Sequence, residues 1–128
     1  MSLTPSFDDP GLLRRIDAMS DAELDDLDFG VIGFDPACVV RRYSAHESKA
    51  SGLSPQRVLG LSLFDEVAVC MNNYLVAQRF EDAAADGSEL DATIDYVLTL
   101  RMRPVKVRLR LLAAPGITGR YVAIDRRH

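Results

Sequence analysis

The sequence predicts an α+β domain built on a five-stranded antiparallel sheet, with flanking short helices and one longer helix. Three observations carry this prediction: two strand-like segments near residues 29–43, one long helical segment near 73–84, and three strand-like segments after residue 92. Strands that are grouped in this way, rather than alternating with helices, favour α+β over α/β. With 128 residues and 48% hydrophobic side chains, we expect residues 1–128 to form a single domain.

Two short helices are predicted before the first strand. Asp8-Asp9-Pro10 supplies capping carboxylates and a proline for a first helical turn. Apolar residues then recur at helical spacing, namely Leu12, Leu13, Ile16 and Met19. Ser20 and Glu23 have the spacing of a capping box for a second helix that carries Leu24 and Leu27. Residues 1–28 are therefore predicted to form an N-terminal helical cap, and residues 29–128 the core.

The core is predicted to begin with a hairpin. Residues 29–34 and 39–43 read as strands, and Asp35-Pro36-Ala37 offers the turn between them. Residues 44–63 contain only short helical or irregular pieces, such as Ser54–Gly60 with its N-cap serine and proline at the first helical position. The longest helix is predicted at Asn73–Ala84, ended by Asp86-Gly87.

Three long antiparallel strands are predicted after this helix. They cover Ala92–Arg101, Val105–Leu112 and Tyr121–Asp125, each rich in β-branched or aromatic residues or alternating in polarity. Arg103-Pro104 and Pro115-Gly116 separate them as turns. These strands complete the five-stranded sheet.

Charge limits the classes of partner. The net charge is −4, which argues against nucleic acid, because nucleic-acid binders concentrate positive charge against the phosphate backbone. The distribution is uneven, since residues 1–35 hold nine acidic side chains and residues 101–128 hold eight basic ones. Two interpretations stay open: two solvated faces, or an acidic N-terminal cap docked on a basic sheet.

Membrane segments and metal-binding patterns are not found in the sequence. No apolar stretch reaches the roughly 18–20 residues of a membrane span, and the N-terminus lacks a signal peptide, so we expect a cytoplasmic protein without a membrane partner. Two cysteines, Cys38 and Cys70, and two histidines, His46 and His128, form no zinc-type spacing. Neither a metal site nor a disulfide framework is predicted.

Several strings resemble photoactive yellow proteins in order and spacing, beginning near Phe7 and covering nearly the whole chain. They are Leu27–Ile32, Tyr43–Glu47, Pro55–Gly60, Phe64–Cys70, Asp95-Tyr96 and Arg101–Val107. The resemblance implies a PAS fold and a blue-light photoreceptor, not an enzyme. It departs from the family pattern at Leu53, where relatives carry an arginine, and at Val69, where they carry a proline.

The resemblance also implies a pigment and the residues that bind it. Cys70 would carry p-coumaric acid as a 4-hydroxycinnamoyl thioester, and cysteine suits this role as a nucleophilic sulfur. Tyr43 and Glu47 would hydrogen-bond its phenolate oxygen, and Ser51 would steady the tyrosine. Tyr96 and Met102 match positions that line the pocket. A protein made without pigment-forming enzymes would lack the group.

The expected mechanism follows from the chemistry of a buried phenolate. It needs hydrogen-bond donors, which a tyrosine hydroxyl and a protonated glutamic acid supply. After isomerisation, a proton passing from Glu47 would leave a buried carboxylate and drive a signalling change, most readily in the N-terminal helices. The partner would be a signalling protein of unknown identity, and a homodimer is left open.

Two other functions are kept as alternatives. A non-photoactive PAS module of the same ancestry would act as a sensory or interaction domain that binds another small ligand, or haem through His46 or Cys70. An enzyme using Cys70 as nucleophile is disfavoured, because a base is lacking: the only other histidine, His128, is terminal.

Overall fold

The computed structural model describes residues 4–99 and 104–126. Across these ranges the strands are β1 (Gly30–Phe34), β2 (Val40–Tyr43), β3 (Leu90–Leu98), β4 (Val105–Ala114) and β5 (Ile117–Asp125). They form one antiparallel sheet in the order β2-β1-β5-β4-β3. The predicted α+β class and five-stranded sheet are confirmed.

The helices are mostly short. They are α1 (Leu12–Ala18), α2 (Asp21–Leu24), α3 (Ala45–Ser51), α4 (Pro55–Val58) and α5 (Ala77–Asp86). A π-helical turn at Leu63–Val67 and a 3-10 turn at Val69–Met71 lie between α4 and α5. The capping box predicted for α2 is confirmed, with Glu23 N–H donating to Ser20 Oγ and Ser20 N–H donating to Glu23 Oε1.

The sheet carries an apolar cluster on each face. Strand side chains alternate between faces, so Ile32 of β1 packs in one cluster and its neighbour Val31 in the other. We call the first the pocket-side cluster; its buried members come from the sheet, from the segment between α4 and α5, and from α5. The second cluster, the cap-side cluster, joins the sheet to residues 7–29. The N-terminal helices therefore cover the face opposite the pocket-side cluster.

Arginines of the sheet fix the N-terminal cap. Arg110 is 6% exposed and donates to the carbonyl oxygens of Phe7 (2.9 Å) and Asp9 (2.7 Å). Arg108 bonds both carboxylate oxygens of Asp8, at 3.2 and 3.1 Å. Arg42 of β2 donates to Asp21 and to backbone carbonyls of the cap. Of the two interpretations of the uneven charge, the docked acidic cap is the one found here.

Two helix starts differ from the sequence prediction. α1 begins at Leu12 after Gly11, which has φ 69°, and no side chain caps it. The expected capping carboxylates are used elsewhere, because Asp9 accepts from Ser6 N–H and Arg15. α5 begins at Ala77 rather than at Asn73. The Asn73 side chain accepts from Leu75 N–H and Val76 N–H and so holds a turn instead of a first helical turn.

Candidate functional site

Ser44 fixes helix α3 onto strand β1. Its side-chain oxygen accepts from Val31 N–H at 3.0 Å and from Glu47 N–H at 3.3 Å, while its own N–H donates to the Val31 carbonyl at 3.0 Å. The N-cap residue of α3 is therefore bonded to β1 through both its side chain and its backbone N–H. This anchoring directs Glu47, in the first turn of α3, across β1.

Glu47 lies buried against a glycine and an arginine. The residue is 1% exposed, and its carboxylate accepts two hydrogen bonds from Arg126, Nη1 to Oε1 at 2.8 Å and Nη2 to Oε2 at 3.0 Å. Gly30 gives the carboxylate room, because a Cβ at that position would lie 2.2 Å from Glu47 Oε1. The carboxylate thus fits between the backbone of β1 at Gly30, where no side chain intrudes, and a guanidinium that binds both of its oxygens.

Tyr43 and Ser51 form a second buried polar contact beside Glu47. Their hydroxyl oxygens are 2.8 Å apart. Ser51 Oγ also accepts from Leu53 N–H at 3.2 Å, and either hydroxyl can be the donor in the contact between Tyr43 and Ser51. Burial raises the pKa of Tyr43 to about 12, with Glu47 contributing and Ser51 and Arg126 opposing. Tyr43 is therefore a neutral phenol at ordinary pH.

Cys70 lies in the 3-10 turn, half-buried against the pocket-side cluster. Its carbonyl oxygen accepts from the Tyr96 hydroxyl at 2.5 Å and from Asn73 Nδ2 at 3.2 Å. Asn73 Nδ2 also donates to the Tyr96 oxygen at 2.6 Å. These two side chains hold the backbone of the turn, so the position of the cysteine is fixed from β3 and from the segment before α5.

The structure gathers the residues singled out in the sequence into two groups around one apolar cluster. Tyr43, Ser51 and Glu47 form the first group, and Cys70 with Tyr96 forms the second; Tyr43, Cys70 and Tyr96 all pack in the pocket-side cluster. Met102 lies outside the described residues. Leu53, which departs from the family pattern, packs partly buried against the same cluster.

Three residues that contact these groups, Gly30, Asn73 and Arg126, were not predicted from the sequence to belong to the site. An isolated glycine in a strand can signal a close approach, and Gly30 is such a glycine. Asn73 was read as the start of a helix, although asparagine favours turns. Arg126 follows the last strand, and nothing in its neighbourhood pointed to a glutamate 79 residues earlier.

His46, a ligand in the haem alternative, is half-buried on α3, and its Nδ1 is buried with no hydrogen-bond partner among the described residues. Within residues 4–99 and 104–126, His, Cys, Asp and Glu side chains form no group of three or more that could bind a metal. In the same ranges, no helix combines the length and apolar character needed to cross a membrane.

Comparisons with known proteins find relatives of this chain in sequence and in fold. The chain is 38% identical over 101 residues to the photoactive yellow protein of Rhodothalassium salexigens, which is 79% of this chain and 78% of the relative. It superposes on the photoactive yellow protein domain of the sensor histidine kinase Ppr from Rhodospirillum centenum with a TM-score of 0.79 and 38% identity, covering 88% of this chain and 97% of that domain.

More distant solved structures establish the fold. The PAS domain of an HTR-like protein from Haloarcula marismortui matches with a TM-score of 0.59 at 12% identity, over 89% of this chain and 96% of that domain. At this identity the likeness concerns the fold alone. The sheet and its helices form a PAS fold. No family model matches the sequence.

Proposed function

The chain belongs to the photoactive yellow protein family, and from this premise we propose that it senses blue light through a p-coumaroyl group held as a thioester on Cys70. In this proposal the protein is a sensor and not an enzyme. The observation that carries the proposal is the buried polar group of Tyr43, Ser51 and Glu47, which borders the apolar cluster against which Cys70 packs.

The residues present fit such a group chemically. A phenolic oxygen that is removed from water requires hydrogen-bond partners, and the Tyr43 hydroxyl and the Glu47 carboxyl are buried polar groups with that capacity. An aromatic ring requires apolar surroundings, which the pocket-side cluster offers. A thioester requires a free thiol, and Cys70 is one. The bound group would supply absorption of blue light and isomerisation about its double bond.

Tyr43 would act as a fixed donor. Since Ser51 receives a hydrogen bond from Leu53 N–H, its own proton can be directed to the Tyr43 oxygen, and the Tyr43 proton is then directed toward the phenolic oxygen. Burial keeps Tyr43 protonated at neutral pH, because it raises the pKa to about 12. Tyr43 would therefore orient the phenolic end without giving up its proton.

Glu47 would be the group that moves a proton. In the dark it would hold a proton on a carboxyl oxygen and donate a short hydrogen bond, and after light absorption it would release that proton toward the phenolic oxygen. A buried carboxylate then forms, which is costly without a partner. The structural response would pass to a signalling protein. The similar domain from Rhodospirillum centenum is part of a sensor histidine kinase, which supports this part of the proposal.

Incubation with p-coumaroyl anhydride tests the proposal. The wild-type protein should gain the mass of one acyl group, turn yellow, bleach under blue light and recover in the dark. Cys70→Ala should do none of this, whereas Cys38→Ala, which removes the other half-buried free thiol, should behave like wild type. Labelling of Cys70→Ala, or colourless wild-type protein of unchanged mass, would overturn the proposal.

A second measurement tests the part assigned to Glu47. Glu47→Gln keeps the shape of the side chain and can donate a hydrogen bond, but it has no acid proton to transfer. The dark absorption of the loaded protein should shift to longer wavelength, because an amide stabilises the phenolate less than a carboxylic acid does. An unchanged spectrum would remove Glu47 from contact with the phenolic oxygen.

A further inference from the structure

The buried carboxylate of Glu47 has its cation inside the protein. Arg126 donates one hydrogen bond to each oxygen of the carboxylate. The Glu47 side chain is 2% exposed and the Arg126 side chain is 18% exposed. Arginine stays protonated at all ordinary pH values, and a bidentate contact engages both oxygens as acceptors. This geometry is the one expected of an ionised carboxylate.

The surroundings of Glu47 make Arg126 important for its charge. β1 contributes Gly30, which has no side chain, and β2 contributes Tyr43, a neutral phenol. α3 contributes the Ser44 oxygen, which is occupied by backbone N–H groups. β5 leads directly into Arg126. Among the described contacts that these elements make with Glu47, the guanidinium of Arg126 carries the positive charge.

We propose that Arg126 is an internal counter-ion for Glu47. Arg126 binds the carboxylate whenever Glu47 is ionised and releases it when Glu47 holds a proton. The first half concerns the protein without pigment, whereas the second half rests on the proposed function. In the loaded protein Arg126 is a positioning residue: it captures the carboxylate formed after proton transfer, so that this carboxylate is stabilised in place rather than only by exposure to water.

Infrared spectroscopy of the pigment-free protein tests the first half. At neutral pH the wild type should lack the carbonyl band of a protonated Glu47, as its difference spectrum against Glu47→Gln would show. Arg126→Gln should gain that band, since a buried carboxyl without a cation takes up a proton. Arg126→Lys should largely suppress the band again, because the positive charge is restored.

Arg41→Gln is the matched control, because it removes another arginine near a strand end whose pair with Asp35 is exposed. It should leave the infrared spectrum in the carboxyl region unchanged. A protonated Glu47 band in wild-type protein at neutral pH would overturn the proposal, and so would an Arg126→Gln spectrum identical to wild type. If Arg126→Gln does not fold, the comparison of wild type with Glu47→Gln still decides between an ionised and a protonated carboxyl.

The rate at which the loaded protein returns to its dark state tests the second half of the proposal, the capture of the light-formed carboxylate by Arg126. If the pair contributes about 1.4 kcal/mol to the light-formed state and not to the barrier, Arg126→Gln should recover about tenfold faster than wild type and Arg41→Gln. Equal recovery rates would refute the capture of the carboxylate. Failure of Cys70 to take up pigment would refute the proposed function instead, and would leave the infrared result standing as evidence for or against the counter-ion.

Discussion

Gly30→Ala should disturb the buried Glu47 although it adds only one methyl group. The new Cβ would lie 2.2 Å from Glu47 Oε1 and 3.2 Å from Glu47 Cβ and Cδ, whereas ordinary contacts begin near 3.4 Å. The carboxylate oxygen must therefore move by about 1.2 Å. A displacement of this size is enough to break the hydrogen bond from Arg126, now 2.8 Å long.

The size of the effect follows from two opposing contributions. Losing one hydrogen bond between charged groups costs about 1.5–3 kcal/mol. Replacing glycine by alanine restricts the unfolded chain and returns about 0.4–1 kcal/mol. The free energy of unfolding should therefore fall by about 1–2 kcal/mol. With a urea dependence of about 2 kcal/mol per molar, the unfolding midpoint should drop by about 0.5–1 M.

Urea unfolding of five proteins decides the matter: wild type, Gly30→Ala, Gly116→Ala, Glu47→Ala and the Gly30→Ala/Glu47→Ala double variant. Gly116→Ala is the matched control, because a Cβ there would meet no atom within 4 Å, and its midpoint should not fall. In a Glu47→Ala background the Gly30→Ala substitution should cost much less, since the crowded oxygen is gone. A Gly30→Ala protein as stable as wild type would refute the reasoning, and so would an equal loss with and without the Glu47 carboxylate.

Two further predictions concern the buried phenol and the cap. Because the pKa of Tyr43 is raised from 10.0 to about 12, the stability tied to its protonated form is fully present below pH 10 and is lost as the pH rises to about 12. Over that interval wild type should lose about 2–3 kcal/mol more than Tyr43→Phe in unfolding experiments; equal losses would contradict the raised pKa. Arg110→Gln should cost about 3 kcal/mol and speed amide exchange in residues 4–10, while β1 stays protected, because the buried guanidinium bonds two cap carbonyls and Asp91. Unchanged exchange in residues 4–10, or an equal effect of Arg41→Gln, would contradict that role.

The elements that sequence reasoning predicted well depend on nearby residues. The Ser20–Glu23 capping box joins residues three apart, and it forms as expected. The strands follow from alternation and from turn residues beside them, although β5 begins at Ile117 and not at the predicted Tyr121. The predicted start of α5 was wrong because the Asn73 side chain accepts from Leu75 N–H and Val76 N–H and holds a turn there. Its Nδ2 also donates to Tyr96, 23 residues away. A helical pattern carries no information about such a distant partner.

The candidate site shows the same division between local and distant information. Tyr43 and Ser51 are eight residues apart and were expected to interact on the basis of family resemblance; they do. Arg126 reaches Glu47 across 79 residues, and it does so because β5 pairs with β1, which only the assembled sheet reveals. The roles of Cys70 and Tyr96 in binding pigment stay predictions.

At the end of β5, two neighbouring charged residues serve opposite faces of the sheet. Asp125 faces the cap and accepts from Arg108 at 2.7 Å, while the next residue, Arg126, faces Glu47. Neighbouring strand residues point to opposite faces, so deleting one residue from β5 would turn every following strand residue to the other face. Arg126 would then take the place of Asp125 beside Arg108, and Asp125 would turn to the face that holds Glu47. Substitutions along this strand can be tested one at a time, but a single-residue deletion disturbs the ion pairs of both faces at once.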